Sequence, residues 1–176
     1  MFRFVFLLLT TDRRSEVFAD WTNTSAVVEW LYLLGGTMEA AVLDEIQRIF
    51  RAARFISDLG IELDSVGDGE CVTTLDLKDR HLQQDGYVHA GVHATIADHT
   101  AGVAAATLLR DRQMVLSVEF KINLLRAARG DRLICRAEVL KPGRRFSVVE
   151  SEVFCVDGGD EQLVSKMTAT IAYVDA

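Results

Sequence analysis

From residue 38 onward the apolar positions follow two alternating periods. Met38, Ala41, Val42, Ile46, Ile49, Phe50, Ala53 and Ile56 recur at three- and four-residue steps, which predicts an amphipathic helix ending near Gly60. The period then drops to two, predicting strands over 61–66 and 71–77 around a Gly67-Asp68-Gly69 turn. Residues 78–86 are polar and predict a loop, and 89–109 predict a helix of ~30 Å. Strands are expected over 114–124, 132–141, 145–156 and 163–174. In the first of these the even positions Met114, Leu116, Val118, Phe120, Ile122 and Leu124 are all apolar, which predicts a single buried face. Pro142-Gly143-Arg144 and Asp157-Gly158-Gly159-Asp160 are turn-like, and connections that short make their strands antiparallel neighbours. The expected class is α+β: one long helix wrapped by a five- or six-stranded antiparallel sheet. Ala97, Ala101, Ala104, Ala105 and Ala106 keep that helix thin enough for a curved sheet to approach closely.

Residues 1–37 differ in style. They hold both tryptophans, Trp21 and Trp30, and Gly35-Gly36-Thr37 separates them from Met38. They are expected to be an N-terminal extension to a domain over 38–176. Two glycine codons just ahead of a methionine would resemble a ribosome-binding site, so Met38 is a candidate biological start. The apolar run 4–9 is followed by Asp12, Arg13, Arg14 and Glu16, which is too short for a membrane span or an export signal.

Apolar residues make up 49% of the 176 residues and charged ones 26%, enough for a packed core. The net charge of −7, with no basic stripe, argues against a nucleic-acid partner. Cys71, Cys135 and Cys155 are odd in number, widely spaced and embedded in apolar alternation, so they are expected to be reduced core residues of a cytoplasmic protein.

The chemistry concentrates in His89-Ala90-Gly91-Val92-His93-Ala94-Thr95-Ile96-Ala97-Asp98. Asp98 is a carboxylate expected to be buried among alanines, and such a group needs a partner or a task. At the start of the same helix, Ala90 and Gly91 are expected to offer free backbone N–H groups to developing negative charge. His89 and His93 with Asp98 could suggest a metal. However, Asp98 lies ~140° around the helix from His93, so no metal is expected.

Gln83, Gly86, His89-Ala90-Gly91 and Asp98 match, in spacing, a pattern of Asn or Gln, Gly, His-Gly-Gly and Asp. With the segment from Val118 to Asp131, these residues resemble the hotdog-fold thioesterases related to the phenylacetate-degradation protein, over residues 38–176. The resemblance implies acyl-CoA thioester hydrolysis without a cofactor. Ala90 N–H would polarise the thioester carbonyl, and Asp98 would act as general base or as nucleophile. Gln83, with Gln84 as the alternative, would orient the carbonyl or the water, while His89 would fix the turn or carry a proton. Ser117 matches a position that helps hold the water, but alternation places it on the polar face with Glu119 and Lys121; a β-bulge would reconcile the two. Gly91 is a substrate-binding candidate, and Lys141, Arg144 and Arg145 are candidates for the coenzyme A phosphates. Ala90 stands where the family usually has glycine, and its methyl would narrow the acyl site while leaving the N–H in place.

A hotdog dehydratase, or an acyl-CoA-binding regulator without turnover, are the competing readings. His81 and Asp98 do not match a dehydratase spacing, and residues 1–37 are too short and too weakly basic for a DNA-binding segment. Ala90 and Asp98 are eight residues apart, ~12 Å along one helix, so one chain cannot bring both to a single carbonyl. A homodimer with its sites at a two-fold interface is therefore expected, and the resemblance implies dimers paired into tetramers.

Overall fold

The structure is a computed structural model that describes residues 40–109 and 113–175. These all belong to one compact unit spanning Met38–Ala176. The expectations for residues 1–37, and the side chains of Met38, Ala41 and Val42, lie outside the described residues.

The leading helix is not continuous. It divides into α1 (Ala40–Ala52) and α2 (Arg54–Leu59), with Ala53 at φ −77°, ψ 82°. The break has a packing reason. Ile46 and Phe50 share a face one turn apart, but Phe50 and Ile56, six residues apart, would point ~120° away from each other on a straight helix. With the break, all three reach the core. Strands β1 (Ile61–Gly67) and β2 (Glu70–Asp76) then form a hairpin. The loop expected to be polar contains a short 3-10 turn, Asp79–His81, whose His81 is completely buried.

Helix α3 (Ala90–Ala106) runs along the inner face of the sheet. Ile96, Ala97, Ala101, Ala104 and Ala105 are fully buried on it, as the run of small residues leads one to expect. It is shorter than expected and stops at Thr107, whose hydroxyl donates to Ala104 O and accepts from Gly69 N–H. Polar contacts fix its depth against the strands. The hydroxyls of Thr73 and Thr100 lie 2.6 Å apart, and Ser151 Oγ donates to Ala97 O at 3.0 Å. Buried hydroxyls left without such partners would each cost about 1–3 kcal/mol.

The remaining strands are β3 (Gln113–Leu124), β4 (Arg132–Lys141), β5 (Phe146–Asp157) and β6 (Asp160–Asp175). The six strands form one antiparallel sheet in the order β1-β2-β4-β5-β6-β3. One long helix against such a sheet is the hotdog arrangement. β3 does not pair with β4, its successor in the chain, but crosses to β6 and becomes an edge. It also carries a bulge: the register with β6 shifts between Ser117 and Glu119. The expectation of one apolar face along β3 therefore fails. Val115 and Ser117 are in register with the inward-facing Tyr173 and Ile171, whereas beyond the bulge Phe120 and Ile122 are in register with the inward-facing Ala169 and Met167. Met114 and Leu116 face outward instead.

Candidate active site

The loop before α3 folds as a small hairpin. Leu82 bridges Val88, Gln83 N–H donates to Tyr87 O at 2.7 Å, and Gly86 N–H donates back to Gln83 O at 3.0 Å. His89 N–H donates to His81 O at 2.9 Å, so the hairpin delivers Gln83 to the N-terminal end of α3. Gln83 is half-buried, while Gln84 is exposed and donates to Asp85; of the two, Gln83 is the one packed into the turn.

Gly86, at φ +77°, occupies the left-handed region that a side chain would strain. Its carbonyl and that of Asp85 accept from Arg129, whose guanidinium lies 5.0 Å from the centre of the Tyr87 ring. Arg129 thus latches the turn from the β3–β4 connection, a role that nothing in the local sequence indicates.

His89 is the N-cap of α3, and its Nδ1 accepts the Gly91 N–H at 2.9 Å. This corrects the expectation of two free N–H groups: Gly91's is taken, and only Ala90's has no acceptor among the described residues. It also explains the glycine at 91, since a Cβ there would sit 3.0 Å from the ring nitrogen. His89 acts here as a cap that fixes the turn, with the proton of its neutral ring on Nε2.

Asp98 is half-buried rather than enclosed. The flank of α3 over β3 stays open because β3 is the last strand of the sheet. The carboxylate is held by Ser117, whose Oγ donates to Oδ1 at 2.7 Å. The bulge after Ser117 makes that contact possible while Glu119 faces outward to Thr170. Next to Asp98, His99 lies edge-on to Phe50 of α1, with ring centres 4.9 Å apart. Burial pushes the His99 pKa down, partly offset by the Asp98 charge. His93, about one and a half turns earlier, is buried against Ser165, and burial pushes its pKa down as well.

The other histidine near the turn is committed elsewhere. His81 Nδ1 accepts from Lys78 N–H at 3.0 Å, and its Nε2 lies 2.9 Å from Leu59 O, an arrangement suited to the Nε2–H tautomer. Burial holds its pKa down too. Among the described residues, no group of three histidine, cysteine, aspartate or glutamate side chains converges to hold a metal. Cys71 and Cys135 are buried thiols, Cys135 pushed up to about 12 by burial, far from a reactive thiolate.

The expected residues therefore form three groups in one chain. Gln83, His89, Ala90 and Gly91 gather at the start of α3, and Asp98 and Ser117 meet ~12 Å further along it. Lys141, Arg144 and Arg145 belong to the β4–β5 hairpin. Arg144 and Arg145 line a cleft of about 530 Å³ with Gln113, Tyr173, Val174 and Asp175. Tyr173 OH donates to Ala105 O, so that cleft is at the far end of α3, ~22 Å from Ala90.

Residues 85–162 match the model of the thioesterase superfamily. The chain is 30% identical over 95 residues to the 1,4-dihydroxy-2-naphthoyl-CoA hydrolase of Listeria monocytogenes, covering 54% of this chain and 77% of that one. A protein of the same name from Escherichia coli is 28% identical, over 54% of this chain and 71% of its own length. The crystal structure of a thioesterase family protein from Silicibacter pomeroyi superposes with a TM-score of 0.75 at 32% identity, covering 77% of this chain and 99% of that one. The matched family segment begins within the turn, after Gln83, and includes all of α3 and β3. No helix among the described residues is long and apolar enough to cross a membrane.

Proposed function

The chain belongs to the thioesterase superfamily and is a thioester hydrolase, and from that premise we propose that it hydrolyses an acyl-CoA to the free acid and coenzyme A at two sites in a homodimer interface. The observation that carries this reading is the presence of two separated half-sites on one helix: Ala90 N–H, without an acceptor among the described residues, and Asp98 held by Ser117. In the reaction Asp98 takes a proton from water as its oxygen bonds to the thioester carbon. The oxyanion is stabilised by Ala90 N–H at the positive end of α3, and the C–S bond then breaks as the thiolate leaves and is protonated. Gln83 orients the carbonyl, and Ser117 fixes the carboxylate. If Asp98 attacks directly, the intermediate is a mixed anhydride, and its hydrolysis at the Asp98 carbonyl in a single turnover in ¹⁸O water would place label in the enzyme.

The half-sites meet if two copies pair antiparallel along the β3 edge, whose outer hydrogen-bonding groups have no strand beside them among the described residues. Phe120, Leu124 and Leu125, all exposed in the single chain, support an interface there. In that arrangement the C-terminal end of one α3 lies beside the N-terminal end of the other. The Arg144–Arg145 cleft of the partner subunit then approaches the Ala90 end, where Lys141, Arg144 and Arg145 can meet phosphates. Leu116, Ala172 and Phe146 form one row across the outer sheet face, with Leu116 52% and Phe146 50% exposed. This apolar corner suits a second dimer and hence a tetramer.

The test is thiol release from a panel of aryl- and fatty-acyl-CoA substrates by the purified chain, with Asp98→Asn as control. We expect turnover of at least one class and a loss of about 10²–10⁴-fold in the variant. Tight acyl-CoA binding with no hydrolysis across the panel would overturn the reading.

A further inference from the structure

We propose that Arg129 is a positioning residue for the hydrolysis: from the β3–β4 connection, its guanidinium sets where the Gln83 turn stands at the start of α3. The inference rests on the thioester-hydrolase reading, in which Gln83 orients the carbonyl, and goes beyond it by naming what governs the placement of Gln83.

The turn is held by hydrogen bonds rather than by packing. Between Leu82 and the buried Val88, residues Gln84, Asp85 and Tyr87 are exposed, and Gln83 and Gly86 are only half-buried. The internal bonds, Gln83 N–H to Tyr87 O and Gly86 N–H to Gln83 O, fix the shape of the turn but not its place. Its foot is placed by Val88 N–H, which donates to Ala128 O at 2.9 Å, and by His89 N–H, which donates to His81 O. Its tip is placed by Arg129, whose Nε donates to Gly86 O and whose Nη2 donates to Asp85 O, both at 3.3 Å.

The guanidinium is fitted to that tip. A Cβ at Gly86 would come within 2.8 Å of Nη2, so the glycine admits the guanidinium as well as the left-handed backbone. Asp157 and Asp160 line a cavity of about 230 Å³ together with Arg129, yet the guanidinium gives its hydrogen bonds to two neutral carbonyls of the turn. Two successive carbonyls suit a planar fork of donors, and the Tyr87 ring receives its positive charge.

The backbone beneath Arg129 is itself fixed. Ala128 is buried, and the Arg129 N–H hydrogen-bonds the Cys155 sulfur. Gly130 is pressed so closely to β5 that a Cβ there would collide with Val156 O. Asp131 N–H donates to Val156 O, and Asp131 O accepts from Leu77 N–H, each at 2.8 Å. The connection is thus tied to the ends of β2 and β5, and Arg129 carries that fixed position to the turn. Because Gly86 N–H donates to Gln83 O, a shift at Gly86 moves Gln83 with it. A displacement of about 1 Å in such a positioning group can cost about 10²-fold in rate.

The test compares the full chain with Arg129→Gln, Gln83→Ala and the double variant. The substrates are the acyl-CoA that wild type turns over fastest and the matching acyl-pantetheine, which carries no phosphate. Arg129→Gln should lower kcat about ten-fold on both substrates with little change in KM. In the Gln83→Ala background the same change should cost less than about two-fold, because the group it positions is gone. Amide hydrogen exchange over residues 83–88 should quicken in Arg129→Gln while β4 and β5 stay protected. A defect confined to the KM for acyl-CoA and absent with acyl-pantetheine would make Arg129 a phosphate contact and overturn the inference. An equal loss in both backgrounds would assign it a merely structural role and overturn it as well. So would unchanged exchange over 83–88, a result that does not depend on turnover. Failure of the wild type to hydrolyse any acyl-CoA would instead overturn the hydrolase reading.

Discussion

Mixing two inactive chains should restore activity if each site is shared. Ala90 and Asp98 lie ~12 Å apart along α3, whereas the oxyanion donor and the attacking group must both lie within ~3–4 Å of one carbonyl carbon. Two groups that close to one carbon are at most ~6–8 Å from each other, and side-chain motion cannot close the remaining ~4–6 Å, because Ala90 acts through its backbone and the Asp98 carboxylate is tied to Ser117. Take one chain with Asp98→Asn and another with Gln83→Ala. Each homodimer then has both its sites damaged, the first by about 10²–10⁴-fold through loss of the base. In a heterodimer, one site combines Gln83 and Ala90 of the first chain with Asp98 of the second and is intact, while the other carries both lesions. Random exchange makes about half of the dimers mixed, so kcat per total active-site pair should recover to about a quarter of wild type. The assay is thiol release after exchange, verified by mass spectrometry of differently tagged subunits. No recovery in a verified mixture, or turnover by a monodisperse monomer, would refute the shared site.

Two further outcomes follow from the geometry. Ser117→Ala removes a hydrogen bond to a carboxylate, worth about 1.5–3 kcal/mol, and should lower kcat about 10- to 100-fold with little change in KM; a kcat within about two-fold of wild type would remove Ser117 from the site. Burial holds His93 and His99 below the ordinary histidine value of about 6.5, so as pH falls through that value the unfolded chain binds protons before the folded one. Their contribution to stability is complete above pH 7 and lost towards pH 5, so the urea midpoint should be lower at pH 5.5 than at pH 7.5, and by less in His93→Gln; an unchanged midpoint would contradict the assignment.

The elements could be read from the chain because each rests on short-range geometry. β4 occupies the expected 132–141, and the Pro142 and Gly158-Gly159 turns place β4, β5 and β6 side by side as antiparallel neighbours. The alanines of α3 announced a helix that a sheet could approach closely. None of this located β3. Alternation gave it one apolar face and no neighbour; the structure sends it across to β6, bulges it after Ser117 and leaves it at the edge. That placement turns Ser117 to Asp98, leaves Asp98 half-buried and exposes Leu116 and Phe120. That His89 fixes the turn was expected, but its hold on the Gly91 N–H, the burial of His81 and the Arg129 latch on the Gln83 turn were hidden. The period of apolar residues is imposed by the backbone within a few positions, so it can be read locally. Which strand becomes an edge, and which polar atom finds a partner, is decided by pairings between residues tens of positions apart, and only the closed sheet sets those.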